Sequence, residues 1–566
     1  MPSRLFTRFP ILLMGMALAL TTVCASVGAP TIAGASTPTS NTYTRAAFYF
    51  GNASPLNFWS SDLSGAKAAF EQTKADGFNA VELAVPWGEF QTGVNPAQYN
   101  QTAFNALSSL VAQAASIHLP VILRLSYAVD IDPSDQDPNR GMEIYANSTV
   151  YNSWLGYISH VHQAVAKYHD VKIAQLSWED FWTPVANAIN ATTASQRLQL
   201  AVTTGFRPWL KRTHSLASVS KQYGTTFTSW SQVPTPPYTQ PSFALMYQYY
   251  DWAMVHRFFV PAAARFPGLN LEARIDMDAI NSGGQEISTY SHASTFDLPG
   301  TSYIGMYFAP SVGDPSTAHV ETASEGLQAL RTTLTSMHTR SGGRPLFIFE
   351  DEFYSNSPEV ITDPAVPPSQ LPALILGSAP ILSQYTLGYS LWTYHDYNQS
   401  PVYNPSFTLG TSGWQVSGSA KPAKSPTATS LSLQKGASVA QAIPAGNLVS
   451  SPASDVTVSV AAAALSGSPA TLTVSLGGAP ARSITVGADP QTYSLQFPLS
   501  EVTASSASPE LSVSTSAPVS LSDVQVYDFT QLGYIYNADG APEVGAVPLR
   551  TMNQDLAASG SSVANG

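Results

Sequence analysis

The stretch RPLFIFEDEFY, residues 344–354, decides the fold of this chain. An apolar run that opens after Pro345 and closes on Glu350, Asp351 and Glu352 reads as a buried strand ending in three acids. Charged residues make up only 11% of the 566 residues, so three in a row at a strand end mark a place where charge is needed.

Seven further runs of the same kind occur in the first 400 residues or so: AAFYF from Ala46, AVELAV from Ala80, PVILRL from Pro120, KIAQLS from Lys172, NLEARI from Asn270, YIGMYF from Tyr303 and YSLW from Tyr389. Helical segments alternate with them, among them SGAKAAFEQTKADGF, which ends on a glycine stop, and AFNALSSLVAQAASIH. Eight strand–helix units predict a closed parallel (β/α)8 TIM barrel, of class α/β, over residues 44–403. Between the fourth and fifth runs the connection is overlong, with a Pro-rich stretch and the aromatic helix candidate ALMYQYYDWAMVHRFFVPAAARF.

From about Asn404 the composition changes to Ser, Thr, Val and Ala alternating with period two, almost without charge, as far as Phe529. This predicts an all-β jelly-roll sandwich over 404–529. LGYIYNADGAPEVGAVPLRTMNQDL follows and reads as a short strand, a turn and a helix. It is expected to complete the barrel over 530–556, with the sandwich inserted in the last strand-to-helix connection; a plain tail is the alternative. Residues 557–566 read as a disordered end.

At the N-terminus, Arg4 and Arg8 precede an apolar run from Phe9 to Leu20 and small-residue sites ending at Ala25 or Ala35. Residues 1–25 are expected to be a cleaved signal peptide, cleavage falling as late as 35 on the second site. The run is too short to span a bilayer, so no membrane association is expected after cleavage, and the protein is expected outside the cell. Cleavage after Ala25 removes the sole cysteine, Cys24, and takes the formal charge from −12 to about −14. Disulfides, thiol catalysis and Cys-bound zinc then drop out; an alternative is a lipid anchor on Cys24. The acidic balance and lack of basic runs speak against nucleic acid as a partner.

In a parallel barrel, functional groups stand at the C-terminal ends of the strands. The seventh strand ends in Glu350, Asp351 and Glu352, and the fourth, in LSWEDFW, ends in Glu179 and Asp180. Two carboxylates across a barrel mouth are the minimum equipment for glycoside hydrolysis, one protonating the leaving oxygen and the other attacking the anomeric carbon or activating water. A separation of about 5–5.5 Å would mean a covalent intermediate and retention of configuration. No HExxH, GxSxG, GxGxxG or Walker pattern is present, so neither a metal nor a cofactor is expected, although His395 and Asp396 invite a metal or triad reading.

The pattern resembles the large clan of retaining glycoside hydrolases built on a (β/α)8 barrel, over residues 44–403 and 530–556. GFNAVELAVPWGEFQTGVNPAQYN is similar to the strand-two region of its β-galactosidase-like members, LPVILRLSY to their third strand, and QLSWEDFW to the strand-four segment that carries the acid/base. The resemblance implies Glu179 as acid/base and a nucleophile at the end of strand seven. A proline five residues before the nucleophile selects Glu350, which is preferred, whereas an aromatic immediately after it selects Glu352. Whichever is not the nucleophile is expected to hold a sugar hydroxyl.

Arg124 is expected to orient the nucleophile, Tyr307 to hydrogen-bond it, and Trp392 to form an aromatic floor under the sugar. Trp87, Trp182 and Tyr394 are candidates for the same cleft, with loop core as the equal alternative for each. One departure is Trp178, which stands where the clan has an asparagine that binds the sugar 2-hydroxyl. The 404–529 module, opening NPSFTLGTSGW and closing LSDVQVYD, resembles carbohydrate-binding jelly rolls.

These features together predict a secreted retaining glycosidase acting on a poly- or oligosaccharide. A noncatalytic sugar-binding protein on a decayed barrel and a transglycosylase are the alternatives.

Overall fold

A computed structural model describes residues 42–51, 53, 55, 58–125, 140–169, 171–176, 183–238, 240–271, 304–310, 321–353, 366–424, 429–443, 455–504, 508–528 and 530–559. Eight strands form one sheet: β1 Thr44–Phe48, β2 Ala80–Val85, β3 Val121–Leu125, β4 Val171–Leu176, β5 Leu269–Leu271, β6 Ile304–Phe308, β7 Leu346–Asp351 and β8 Thr386–Leu391. Every described pairing within it is parallel, and the order is β5-β4-β3-β2-β1-β8-β7-β6. Apart from β5 and β6, which stand at the two ends of the described order, each strand lies beside its neighbours in sequence, and β1 lies beside β8, which is the order of a (β/α)8 barrel.

The helices that cover the sheet are set by local signals. Between β1 and β2, α1 (Ala66–Ala75) stops at Gly77, whose φ of +87° suits a residue without a Cβ. α2 (Gln101–Ser116) and α3 (Ser148–Val165) are capped by Asn100 and Asn147, whose side chains accept from two backbone N–H groups each. α4 (Ala323–Arg340) opens on a capping box of Thr322 and Glu325. The long β4–β5 connection holds short helices, including Ala194–Thr203, Phe206–Thr213, Leu216–Tyr223 and Ala244–Trp252.

Inside the barrel, Phe347 and Phe349 of β7 stack with ring centroids 4.2 Å apart, beside Ala46, Ala80 and Ile122. Glycines on both flanking strands make this possible. A Cβ on Gly388 of β8 would lie 2.6 Å from the Phe347 ring, and one on Gly305 of β6 would lie 2.6 Å from the Phe349 ring.

After β8 the chain leaves for two five-stranded antiparallel sheets. Strand Asp455–Ala464 shows the expected alternation of buried and less buried residues, and Val456, Val458 and Val460 join the core between the sheets. This is the β-sandwich. It is tied to the barrel near Asn404, whose N–H donates to Ser60 Oγ at 3.2 Å, and by the Thr408 hydroxyl, which donates to the Ser60 carbonyl.

The returning segment Thr530–Gln531 pairs antiparallel with Tyr397–Asn398, and the last described element is α6 (Ala546–Ser559). Leu549, Met552 and Leu556 of α6 share a core with Ile375 and Leu382 of α5 (Leu371–Tyr385). A buried polar node fixes this closure. Asp76 accepts from Arg550 Nε at 2.6 Å, from Tyr536 at 2.7 Å and from the Tyr394 hydroxyl, while Asn553 donates to its carbonyl at 3.0 Å.

Candidate active site

The end of β7 departs from simple alternation, which would have put Glu350 on the face of Leu346 and Ile348. Those two side chains face the helices, while Phe347 and Phe349 face the barrel interior. Then the register slips: Met306 of β6 pairs with Ile348 and Tyr307 with Glu350, so Phe349 is an extra residue, and the β8 pairing skips in the same place. This β-bulge turns Glu350 inward after Phe349 and leaves Asp351 on the helix side.

Glu350 is 4% exposed, and its Oε2 lies 3.3 Å from Nη2 of Arg124, which reaches across from β3. The guanidinium is held from several sides. Its Nη1 donates to the Phe349 carbonyl at 3.0 Å and lies 3.8 Å from Oε1 of Glu82 on β2, and its carbon stands 5.7 Å from the Phe48 ring centroid. Arg124 thus stabilises negative charge on Glu350, and its planar fork fits several acceptors at once.

Trp392 follows β8 and is 8% exposed. Phe48 and Phe50 pack against its indole at 5.0 and 5.4 Å between centroids, and Tyr397 at 5.9 Å. The backbone N–H of Trp392 donates to the Asp351 carbonyl at 3.1 Å, which ties the residue to the acid-bearing end of β7. Tyr307 is half-buried and is the register neighbour of Glu350. Glu352, also half-buried, is fixed by its N–H donating to the Phe308 carbonyl at 2.9 Å.

For Trp87 the structure shows the core alternative. It is 0% exposed, its indole N–H donates to Gln91 Oε1 at 2.6 Å, and Arg140 lies 5.2 Å from its ring, so it belongs to the core rather than a cleft wall. Tyr394 is likewise buried, with its hydroxyl on Asp76. β4 ends at Leu176, and Trp178, Glu179 and Trp182 lie outside the described residues, as do residues 1–41 with the signal-peptide segment.

Asp396 accepts from the N–H groups of Gly533 and Tyr534 at 2.6 and 3.3 Å, so it clamps the returning chain; His395 packs against the Tyr394 and Tyr536 rings, and burial lowers its pKa. Neither residue is arranged as part of a triad.

Two interior residues escaped the sequence reading. Glu82 is 0% exposed within AVELAV, and the sole signal was an acid inside an otherwise apolar strand. Gln175 of β4, also 0% exposed, is the register neighbour of Arg124 and has no hydrogen-bond partner on either side-chain atom among the described residues. Asp351 is wholly buried, both carboxylate oxygens lack a hydrogen-bond partner among the described residues, and burial pushes its pKa up to about 8.

No family model matches this sequence, and no curated protein matches it either. Among solved structures, the chain is similar to GH5_18 from Streptomyces cattleya in complex with GlcNAc, at 14% identity and a TM-score of 0.39, covering 63% of this chain and 72% of that one. A GH42 beta-galactosidase from G. stearothermophilus gives 12% identity and a TM-score of 0.46 over 63% and 52% of the two chains. An exo-beta-1,4-mannosidase from Opitutaceae bacterium strain TAV5 gives 11% and 0.34 over 63% and 52%. Likeness at this level adds nothing to the barrel fold that the strand order itself defines.

Proposed function

We propose that this protein is a secreted retaining glycoside hydrolase acting on an extracellular poly- or oligosaccharide. One observation carries the reading: Glu350, turned inward by the β7 bulge, lies 3.3 Å from the buried guanidinium of Arg124 at the C-terminal end of the barrel. A carboxylate held against a buried cation is kept ionised, as a nucleophile must be.

In this reading Glu350 attacks the anomeric carbon while Glu179 protonates the departing oxygen, and water then cleaves the glycosyl ester with Glu179 acting as base. Trp392 supplies the apolar face under the sugar ring, with Tyr307 and Glu352 as polar contacts. Glu352 remains the competing nucleophile. Export rests on the charged, apolar and small-residue pattern of residues 1–25.

The test is release of product from aryl β-galactosides, β-glucosides, β-mannosides and a set of polysaccharides by the purified protein, with Glu350→Gln and Glu179→Gln as controls. Hydrolysis by the parent alone supports the assignment. Saturable binding without turnover would replace it with a sugar-binding protein.

A further inference from the structure

The sandwich hangs on the barrel beside the tryptophan read above as the sugar floor. The chain leaves the barrel through Tyr397–Asn398 and returns through Thr530–Gln531; these two strands pair antiparallel, and the Thr530 hydroxyl donates to Asn398 Oδ1 at 2.8 Å. Ser400 Oγ then accepts from the N–H groups of Val402 and Val526 at 3.4 and 3.2 Å, which joins the outgoing chain to strand Val519–Tyr527 of the sandwich. Val402 already lies in the sandwich core.

Tyr397, in this neck, packs with the barrel core and is 3% exposed. Its ring stands 4.7 Å from Phe50 and 5.9 Å from Trp392 between centroids, at 73° and 85° to them. Rings of two origins thus hold the indole of Trp392: Phe48 and Phe50 come from β1 and the turn after it, Tyr397 from the neck. A second attachment ends close by. Asn404 and Thr408 donate to Ser60, which is 0% exposed, and the Asn404 side chain fixes its own turn by donating to the carbonyls of Gly410 and Ser412, both at 3.0 Å. Next to Ser60, Trp59 donates its indole N–H to the Ala84 carbonyl of β2 at 3.0 Å, and Phe58 packs at 6.2 Å against Tyr49, the neighbour of Phe50.

A domain on a single linker moves by default. A paired neck with a side contact removes that freedom, so the place of the sandwich and the tilt of the Tyr397 ring are set together. An aromatic floor serves a sugar only while its face lies flat under the ring, and a near-perpendicular neighbour limits how far it tips.

We propose that the sandwich is a positioning unit for the sugar floor, with Tyr397 as the positioning residue through which it fixes the plane of Trp392. The inference rests on the reading of the protein as a glycoside hydrolase with Trp392 under the sugar. The floor covers the sugar in the ground state and the transition state alike, so a tilted indole weakens binding and leaves the bond-breaking step as it was.

The experiment measures kcat and KM of full-length variants on the aryl β-galactoside, β-glucoside or β-mannoside that the parent cleaves, with circular dichroism as the check on folding. Tyr397→Ala is expected to raise KM by about three- to tenfold at nearly constant kcat, the size of one aromatic pair, and Tyr397→Phe, which keeps the ring, to stay close to the parent. The double variant Ser60→Ala with Thr408→Val removes both hydroxyls of the side contact and no ring; it is expected to raise KM by about threefold. Should Tyr397→Ala not fold, Tyr397→Leu takes its place. A Tyr397→Ala protein with the parent's KM, or with a loss confined to kcat, overturns the role of Tyr397 and leaves the hydrolase reading standing. A raised KM in Tyr397→Ala beside an unchanged KM in the double variant assigns Tyr397 to the barrel alone and overturns the part given to the sandwich. A parent that cleaves none of the glycosides or polysaccharides overturns both readings.

Discussion

Arg124 Nη2 and Glu350 Oε2 lie 3.3 Å apart although they come from the third and seventh strands of an eight-stranded barrel. The contact spans the barrel interior. It requires Glu350 to point inward, which the bulge at Phe349 accomplishes, and it requires a cation that stays charged when buried, which arginine supplies.

Glu350→Gln is expected to lower kcat/KM on an activated aryl glycoside by more than about a thousandfold, as removal of a nucleophile does. Glu352→Gln is expected to cost about tenfold or less, chiefly in KM, since a substrate contact contributes to binding. The reverse ranking would move the nucleophile to Glu352. Steady-state kinetics on both variants, with unchanged circular dichroism, decides.

Arg124→Met should damage stability as well as activity, because it leaves two buried acids without their cation. The expected cost is about 3–5 kcal/mol, the range for breaking a buried ion pair. Urea unfolding measures it. A variant within about 1 kcal/mol of the parent, the size of an exposed pair, would show that the acids do not depend on Arg124.

Gly305→Ala should destabilise by about 1–3 kcal/mol through overpacking. Its Cβ would meet the Phe349 ring at 2.6 Å and Gln175 Oε1 at 3.0 Å inside the barrel. Combining it with Phe349→Leu should recover part of the loss. A neutral single substitution in a thermal melt would contradict the packing of the Phe347 and Phe349 stack.

Asp351 governs an alkaline weakness. Its folded pKa, raised by burial to about 8, lies above the ordinary carboxylate value, so the folded state holds the proton more tightly than the unfolded chain. Its contribution is therefore complete in acid and declines as pH rises from about 4 towards 8, by at most about 1.4 kcal/mol per unit for one group. Asp351→Asn removes this slope. Urea midpoints between pH 5 and 8 should fall less steeply for the variant than for the parent; parallel curves would place the Asp351 carboxyl in water.

Asp76→Ala should cost about 2–4 kcal/mol, because the Tyr394 and Tyr536 hydroxyls lose a buried acceptor together with the Arg550 pair. Arg550→Ala should cost about 1 kcal/mol or less, since its side chain is 39% exposed and water takes up what Asp76 releases. Equal effects would show that the node acts through the arginine alone.

Much of this architecture is legible in the sequence because strand runs and caps are local signals. AVELAV at Ala80–Val85 is both the predicted run and the observed strand, and the apolar stretch at 346–349 is the greater part of β7. A buried parallel strand must be apolar along its length, so eight such runs between helices announce the barrel whatever their side chains do later. The acids closing the seventh run and the arginine in the third are visible for the same reason: charge stands out where burial forbids it.

What the tertiary structure alone decided is where those groups point and what they meet. A bulge is one residue of register, written in the pairing of β7 with both neighbours rather than in its own composition, and it sends Glu350 to Arg124 instead of to the helices. Trp87 went to the core because Gln91 and Arg140 satisfy it there, and Glu82 joined Arg124 because β2 and β3 pair side by side. Sequence settles which residues must be buried through their cost in water, whereas partnership between distant residues depends on strand register and barrel closure, which exist only once the chain has folded.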